Sequence, residues 1–165
     1  MLRSVQRTAE IVVLGPSFAL QKRLLTHLCN EVVLTRDNCA FGRTRISNEL
    51  ELYFYGLGES DKSKDFAWDL VADKILGFFL LFNWFDGASF QKAMETADEL
   101  SRRFDAHGVI AGDLAENLVP VNEKLIGYGF SISERIYFSL WNSASKASSR
   151  ALMRLLVDAV MTHTG

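Results

Sequence analysis

The stretch IVVLGPSFALQKRLLTHL, from Ile11 to Leu28, contains the residues whose spacing points most directly to chemistry. An apolar run ends at Gly15, and apolar residues recur at helical spacing from about Leu20. A strand, a loop and a helix in this order can cradle a phosphate group, because glycines let backbone amides wrap it and the helix N-terminus carries partial positive charge. The pattern therefore predicts a phosphate site, a former phosphate site, or a plain strand-turn-helix.

The positions that would bind the phosphate hold unsuitable side chains. The phosphate loop G-x-x-x-x-G-K-[ST] needs a second glycine, a lysine that neutralises phosphate charge, and a hydroxyl that binds Mg²⁺. Counted from Gly15, these three positions are Leu20, Gln21 and Lys22. A shift of one residue lets Lys22 serve as the phosphate lysine, but neither Leu20 nor Gln21 is then a glycine. We therefore expect a degenerate nucleotide site at most.

Composition limits the class of protein. The 165 residues, 48% of them hydrophobic, fit a single domain spanning 1–165 with a packed core. A formal net charge of -2 without a long basic run gives no indication of nucleic-acid binding. The first ten residues lack the apolar core of a signal peptide, and the longest apolar stretch, ILGFFLLFNWF, is too short to span a bilayer. We expect a cytoplasmic protein without an integral membrane segment.

Strand and helix patterns alternate in the order β-α-β-β-α-β-α-β-α-β-α. The strand segments are EIVVLG, FGRTRIS, ELELYFYG, LGFFLLFN, HGVIAGD and RIYFSLWN. Helical segments begin near Leu20, near DFAWDLVADK, at Phe90, at VNEKLIGYG, and after the last strand. This order predicts an α/β fold with a six-stranded, mostly parallel sheet, one antiparallel strand, and helices on both faces. Ligands of such sheets bind at the carboxyl ends of the strands, where the loop after Gly15 is expected.

The same order, with one hairpin after the first helix, resembles that of Ras-like small GTPases, which have the P-loop NTPase fold. In detail the chain is most similar to bacterial gliding-motility (Mgl-type) small GTPases, over about Glu10 to Met161. FGR from Phe41 is similar to their motif opening the second strand, and LYFYGLGES lies where they have an apolar strand and a G-x-P-G-Q-type loop. The segment DFAWDLVADKILGFFLLFNWFDGASFQKA follows their second helix, fourth strand and third helix. The resemblance implies a bacterial signalling protein.

The resemblance also places further nucleotide motifs on residues that do not match them. The D-x-x-G-Q pattern, which holds Mg²⁺ and positions water, falls on Tyr55 to Glu59. The guanine-reading N-K-x-D falls on IAGDLAEN, where Asp113 takes the asparagine or the lysine position. The S-A-K element survives in part at residues 143–145. The candidate nucleotide contacts are therefore Gly15, Gln21, Lys22, Gly58, Asp113, Ser143 and Ala144.

Three broken motifs favour a pseudo-GTPase, a small-GTPase fold that binds nucleotide weakly or not at all, with no catalytic residue, metal or cofactor. The alternative is a GTP-binding small G protein with GTP or GDP, Mg²⁺, an atypical P-loop and slow hydrolysis. For that alternative, Thr35 and Thr44 are both candidates for the threonine of the first switch. A further alternative is a doubly wound domain of unrelated role.

A degenerate small GTPase retains its surface, which favours a protein-interaction or regulatory module. In Mgl-type proteins the usual partner is a dimeric roadblock-fold regulator, so the resemblance implies such a partner here, and a homodimer is another arrangement. The candidate partner face contains Phe41, Phe66 and Trp68. These aromatics either fill the space under the second helix or include at least one exposed anchor, as aromatic side chains often do in interfaces.

Other kinds of site find little support in the sequence. Cys29 and Cys39 are too few for a zinc site, which needs about four ligands. His27, His107 and His163 are far apart and lie near no nucleophile-elbow sequence. The first loop also lacks the paired acids of a phosphoryl-accepting receiver domain.

Overall fold

The computed structural model describes residues 7–34, 39–57, 75–104, 106–114 and 130–163. Within these ranges the chain forms eight strands and three helices. The strands are β1 (Arg7–Leu14), β2 (Glu31–Leu34), β3 (Ala40–Arg45), β4 (Leu50–Gly56), β5 (Ile75–Asn83), β6 (His107–Asp113), β7 (Phe130–Ser131) and β8 (Ile136–Trp141). The helices are α1 (Phe18–Leu28), α2 (Gly87–Phe104) and α3 (Lys146–His163).

The strands form one mixed sheet in the order β2-β3-β4-β1-β5-β6-β8-β7. Neighbours from β4 to β8 are parallel, whereas β3 is antiparallel to both β2 and β4, and β7 is antiparallel to β8. The predicted α/β class with a mostly parallel sheet is confirmed. The predicted count of six strands, one of them antiparallel, is wrong, because two short strands extend the sheet and β7 is also antiparallel.

The central strand β5 is covered on both faces, as its continuous apolar run predicts. Phe78, Leu80 and Phe82 pack on the face that α2 covers. Phe79 and Leu81 pack on the opposite face, which α1 and α3 cover. Each face therefore has its own apolar core, and the predicted placement of helices on both faces is confirmed.

The apolar stripes of the helices explain which face each one buries. On α2, Ala93, Ala97 and Leu100 are spaced three or four residues apart and are almost fully buried. On α3, Leu152 and Leu156 are one turn apart and are completely covered. Helices with a single apolar stripe can be stable only against an apolar surface, which the sheet supplies.

Several predicted features lie outside the described residues. They are the helices near DFAWDLVADK and VNEKLIGYG, most of the loop GLGESDKSKD, and the residues Thr35, Gly58, Glu59, Phe66 and Trp68. Among the helices that the structure does describe, none combines the length and the apolar character needed to cross a membrane.

Candidate functional site

The loop after β1 is short and closely packed against the sheet. Gly15 has a backbone φ of +147°, a conformation that L side chains rarely adopt. A Cβ atom placed there would lie 2.1 Å from the backbone carbonyl oxygen of Leu81 on β5. Only a glycine fits at this point, so the glycine at the end of the apolar run has a steric cause.

The helix begins too early for a full phosphate loop. Ser17 caps α1, and its hydroxyl accepts a hydrogen bond from the Leu20 amide at 3.4 Å. The Gln21 amide donates to the Ser17 carbonyl oxygen, also at 3.4 Å. Amides that would have to wrap a phosphate are thus already engaged in the first turn of the helix. Only residues 15–17 separate the strand from the helix.

Gln21, at the lysine position of the motif, is completely buried and stabilises this loop. Its side-chain amide Nε2 donates to the carbonyl oxygen of Gly15 at 3.1 Å. A Cβ atom built on Gly56, at the end of β4, would lie 3.2 Å from Oε1 of Gln21. The Gln21 side chain therefore occupies the space between the ends of β1 and β4 and makes an internal contact there.

Lys22 lies apart from this arrangement. Its Nζ atom is 5.3 Å from the ring centroid of Phe18, one helical turn earlier, in a cation–π contact. Leu20, at the second glycine position, packs into the core beneath α1 and α3. The structure thus brings Gly15 and Gln21 together, whereas Lys22 is engaged on the surface of α1.

Tyr55 occupies the position at which the D-x-x-G-Q pattern has its carboxylate. Its hydroxyl donates to Glu10 Oε1 on β1 at 3.2 Å, and its ring packs edge-on against Phe41 with centroids 5.4 Å apart. Burial, and then the negative charge of Glu10, raise the pKa of Tyr55 to about 12. A neutral phenol held in this way cannot take the role of a metal-binding carboxylate.

Asp113 and Ser143, from two separate motifs, do meet in the structure. Asp113 ends β6 and is buried, and its two carboxylate oxygens accept hydrogen bonds from the amide and the hydroxyl of Ser143, each at 3.0 Å. Arg23 Nη1 donates to the Ser143 hydroxyl oxygen at 3.0 Å. The Ala144 amide donates to Asn142 Oδ1, also at 3.0 Å. The Asp113 carboxylate thereby joins the ends of β6 and β8.

We expect Asp113→Ala to lower the free energy of unfolding by about 2–3 kcal/mol, because it leaves the buried Ser143 amide and hydroxyl without an acceptor. Asp113→Asn keeps one carbonyl oxygen and should cost less. Replacement of the exposed Glu95 by alanine is the control and should change stability by less than about 0.5 kcal/mol. Urea unfolding measures all three variants, and equal stability of Asp113→Ala and wild type would contradict the structural role.

A buried polar cluster under α1 and α3 was not predicted. The Ser149 hydroxyl oxygen lies 2.7 Å from His27 Nδ1 and accepts from Trp141 Nε1 at 3.1 Å. Burial, followed by the charges of Lys146 and Arg23, lowers the pKa of His27. Ser149 is completely buried, so its hydroxyl is inaccessible to a substrate and links the helices instead. Because the pair is 122 residues apart, no local pattern could have indicated it.

Within the described residues, no three side chains of His, Cys, Asp or Glu come together as a metal-binding group. No family model matches the chain, and no curated protein matches it. The geometry of the loop after β1 and of the Asp113 contacts is therefore the main guide to function.

Proposed function

We propose that this chain is a degenerate, small-GTPase-like domain that acts as a protein-interaction or regulatory module and binds nucleotide weakly or not at all. The resemblance to Ras-like, Mgl-type small GTPases is supported by the inner strand order β3-β4-β1-β5-β6-β8, with β3 antiparallel and helices on both faces. The observation that carries the proposal is the position of the Gln21 side chain. It is buried and hydrogen-bonded to Gly15, in the loop that would have to be accessible for a phosphate to bind.

The described residues do not fit a nucleotide phosphate with Mg²⁺. Phosphate binding needs free amides and a cation directed at the ligand. Here the amides of Leu20 and Gln21 serve the first helical turn, and the Lys22 ammonium lies over Phe18. The phenol of Tyr55 donates to Glu10 where a carboxylate would be required. These contacts support loss of nucleotide binding, and they favour a domain whose fold is held without a ligand.

Thermal unfolding with nucleotides tests the proposal directly. The purified chain is heated with GTP, GDP, ATP or ADP, each with and without Mg²⁺, and with inorganic sulfate as the control anion. A ligand present at 100 times its Kd stabilises a protein by about 2.7 kcal/mol, which raises the Tm by several degrees. We expect no nucleotide-specific increase in Tm. A saturable increase with guanine nucleotides that depends on Mg²⁺ would support the alternative, a GTP-binding G protein with an atypical loop.

The proposed partner face lies at the end of the sheet that contains β2, β3 and β4. Val33, Phe41 and Tyr55 are directly opposite one another on β2, β3 and β4 and therefore share one face. Val33 and Phe41 are 62% and 40% exposed. An apolar row of this kind beside an edge strand suits a protein partner. The partner we propose is a dimeric roadblock-fold regulator, with self-association as the other arrangement.

We expect Phe41→Ala to weaken partner binding by about 2 kcal/mol while the domain remains folded, because Phe41 is an exposed aromatic anchor. Titration with a purified dimeric roadblock-fold protein and sedimentation velocity of the chain alone measure the two kinds of association. Met161→Ala is the matched control, since Met161 is 68% exposed on α3, away from this face. Equal association by the wild type and Phe41→Ala would show that Phe41 is not part of the interface.

A further inference from the structure

A basic groove lies between the C-terminal end of α1, the β3–β4 hairpin and α3. Its volume is about 390 Å³, within the range of small-molecule sites. One wall carries the cations Lys146, Arg150 and Arg154. Its apolar lining includes Leu52, Met153 and Val157. No part of the proposed function uses this groove.

The three cations are arranged along one side of α3. They are spaced four residues apart, so they project from the same face and span about 12 Å of the helix. Within the described residues, none of the three forms an ion pair. By contrast, the acids of the neighbouring hairpin, Glu31 and Glu51, both pair with Arg43. The described residues that line the groove therefore carry positive charge without a paired acid, and Asp158, four residues after Arg154, is the acid of α3.

The surroundings of the groove agree with this excess of positive charge. His27 lines the groove, and burial, followed by the charges of Lys146 and Arg23, lowers its pKa. No Asp or Glu is among the described residues that line the groove. An anion placed here would relieve repulsion among the cations, and guanidinium groups bind phosphate oxygens through paired N–H donors.

The apolar lining indicates what else the ligand carries. Ile46 and Val157, which line the groove, are 58% and 38% exposed, whereas Leu52 and Phe54 are almost fully buried. An apolar lining inside a groove suits the body of a single molecule better than a flat lipid bilayer. Arg150 and Arg154, one helical turn or about 6 Å apart, suit two linked phosphate groups.

We propose that the basic groove binds an organic diphosphate with an apolar body, through Arg150 and Arg154 at the phosphates and through Ile46, Met153 and Val157 at the body. The site is separate from the loop at Gly15. The loop lies at the N-terminal end of α1, the groove at its C-terminal end, and a helix of 11 residues is about 16 Å long.

Isothermal titration calorimetry with geranyl diphosphate, inorganic pyrophosphate and geraniol tests this proposal on the full chain. We expect saturable binding of geranyl diphosphate, weaker binding of pyrophosphate and still weaker binding of geraniol. Arg150→Gln/Arg154→Gln should weaken geranyl diphosphate binding at least tenfold. Arg7→Gln/Lys92→Gln removes the same number of exposed charges elsewhere and should leave the affinity unchanged.

Two further measurements separate the parts of the site. Val157→Ser should weaken geranyl diphosphate several-fold and leave pyrophosphate affinity unchanged, because it alters only the apolar part. Sedimentation with phosphatidylcholine vesicles, with and without phosphatidic acid, tests a lipid source of the phosphate. The proposal is wrong if geranyl diphosphate does not bind, if both double variants bind it equally well, or if only the vesicles bind.

Discussion

Gly15→Ala is expected to lower the free energy of unfolding by about 4 kcal/mol. Two costs combine in this variant. An alanine at a φ of +147° is strained, which costs about 1–2 kcal/mol or more. Its Cβ would also lie 2.1 Å from the Leu81 carbonyl oxygen, and backbone on both strands would have to move. Since a domain of this kind is stable by about 5–15 kcal/mol, such a loss is a large fraction of the total.

Gly87→Ala is the matched control for this prediction. Gly87 is the first residue of α2, and a Cβ atom there would meet nothing within 4 Å. Alanine favours helix over glycine by up to about 1 kcal/mol, so this variant should be as stable as wild type or slightly more so. Urea unfolding followed by circular dichroism compares the two. If Gly15→Ala is as stable as Gly87→Ala, the loop does not require glycine.

Strong periodicity made most of the fold predictable. The run LGFFLLFN predicted a central strand covered on both faces, and β5 is such a strand, because each of its faces meets a different set of helices. The stripe beginning at Phe90 predicted α2 within a few residues of its start at Gly87. Long elements with one or two buried faces leave a clear pattern in the sequence, because each position on a buried face has to be apolar and these positions recur at a regular spacing.

Short edge strands left no such pattern. Along β2, Val33 and Leu34 are both exposed, and the strand has no buried alternating face to mark it. β7 is only two residues long and is defined by its pairing with β8. Backbone pairing with the next strand along the chain, not side-chain patterning, defines both strands. The predicted six-stranded sheet therefore lacked its two outer strands.

The contacts of the candidate site could not be predicted from the sequence. The spacing from Gly15 assigned Gln21 to the lysine position of the motif, but an amide side chain can face solvent or the core. Its complete burial follows from tertiary packing at the end of β4. Asp113 and Ser143 were assigned to separate motifs, and only the parallel pairing of β6 and β8 brings them within 3.0 Å.

Gln21→Lys is expected to destabilise the domain by about 3 kcal/mol at neutral pH. The Gln21 side chain is completely buried, and its Nε2 donates to the Gly15 carbonyl oxygen. Lysine would place an ammonium group in that space, and a buried charge without an anionic partner costs several kcal/mol. Gln21→Met is the control for shape, because it loses the hydrogen bond without adding charge, and it should cost about 1–2 kcal/mol.

The dependence of Gln21→Lys on anions then distinguishes the two candidate functions. If the loop retains a usable phosphate site, GTP or pyrophosphate should pair with the new ammonium and recover most of the lost stability, whereas Gln21→Met should not respond. We expect no such recovery, because α1 begins at Phe18 and the amides of Leu20 and Gln21 already bond within its first turn. Unfolding in urea at several pyrophosphate concentrations measures the difference. Recovery of more than about 2 kcal/mol in Gln21→Lys alone would mean that the loop after β1 can bind phosphate once the Gln21 side chain is replaced. The GTP-binding alternative would then be correct.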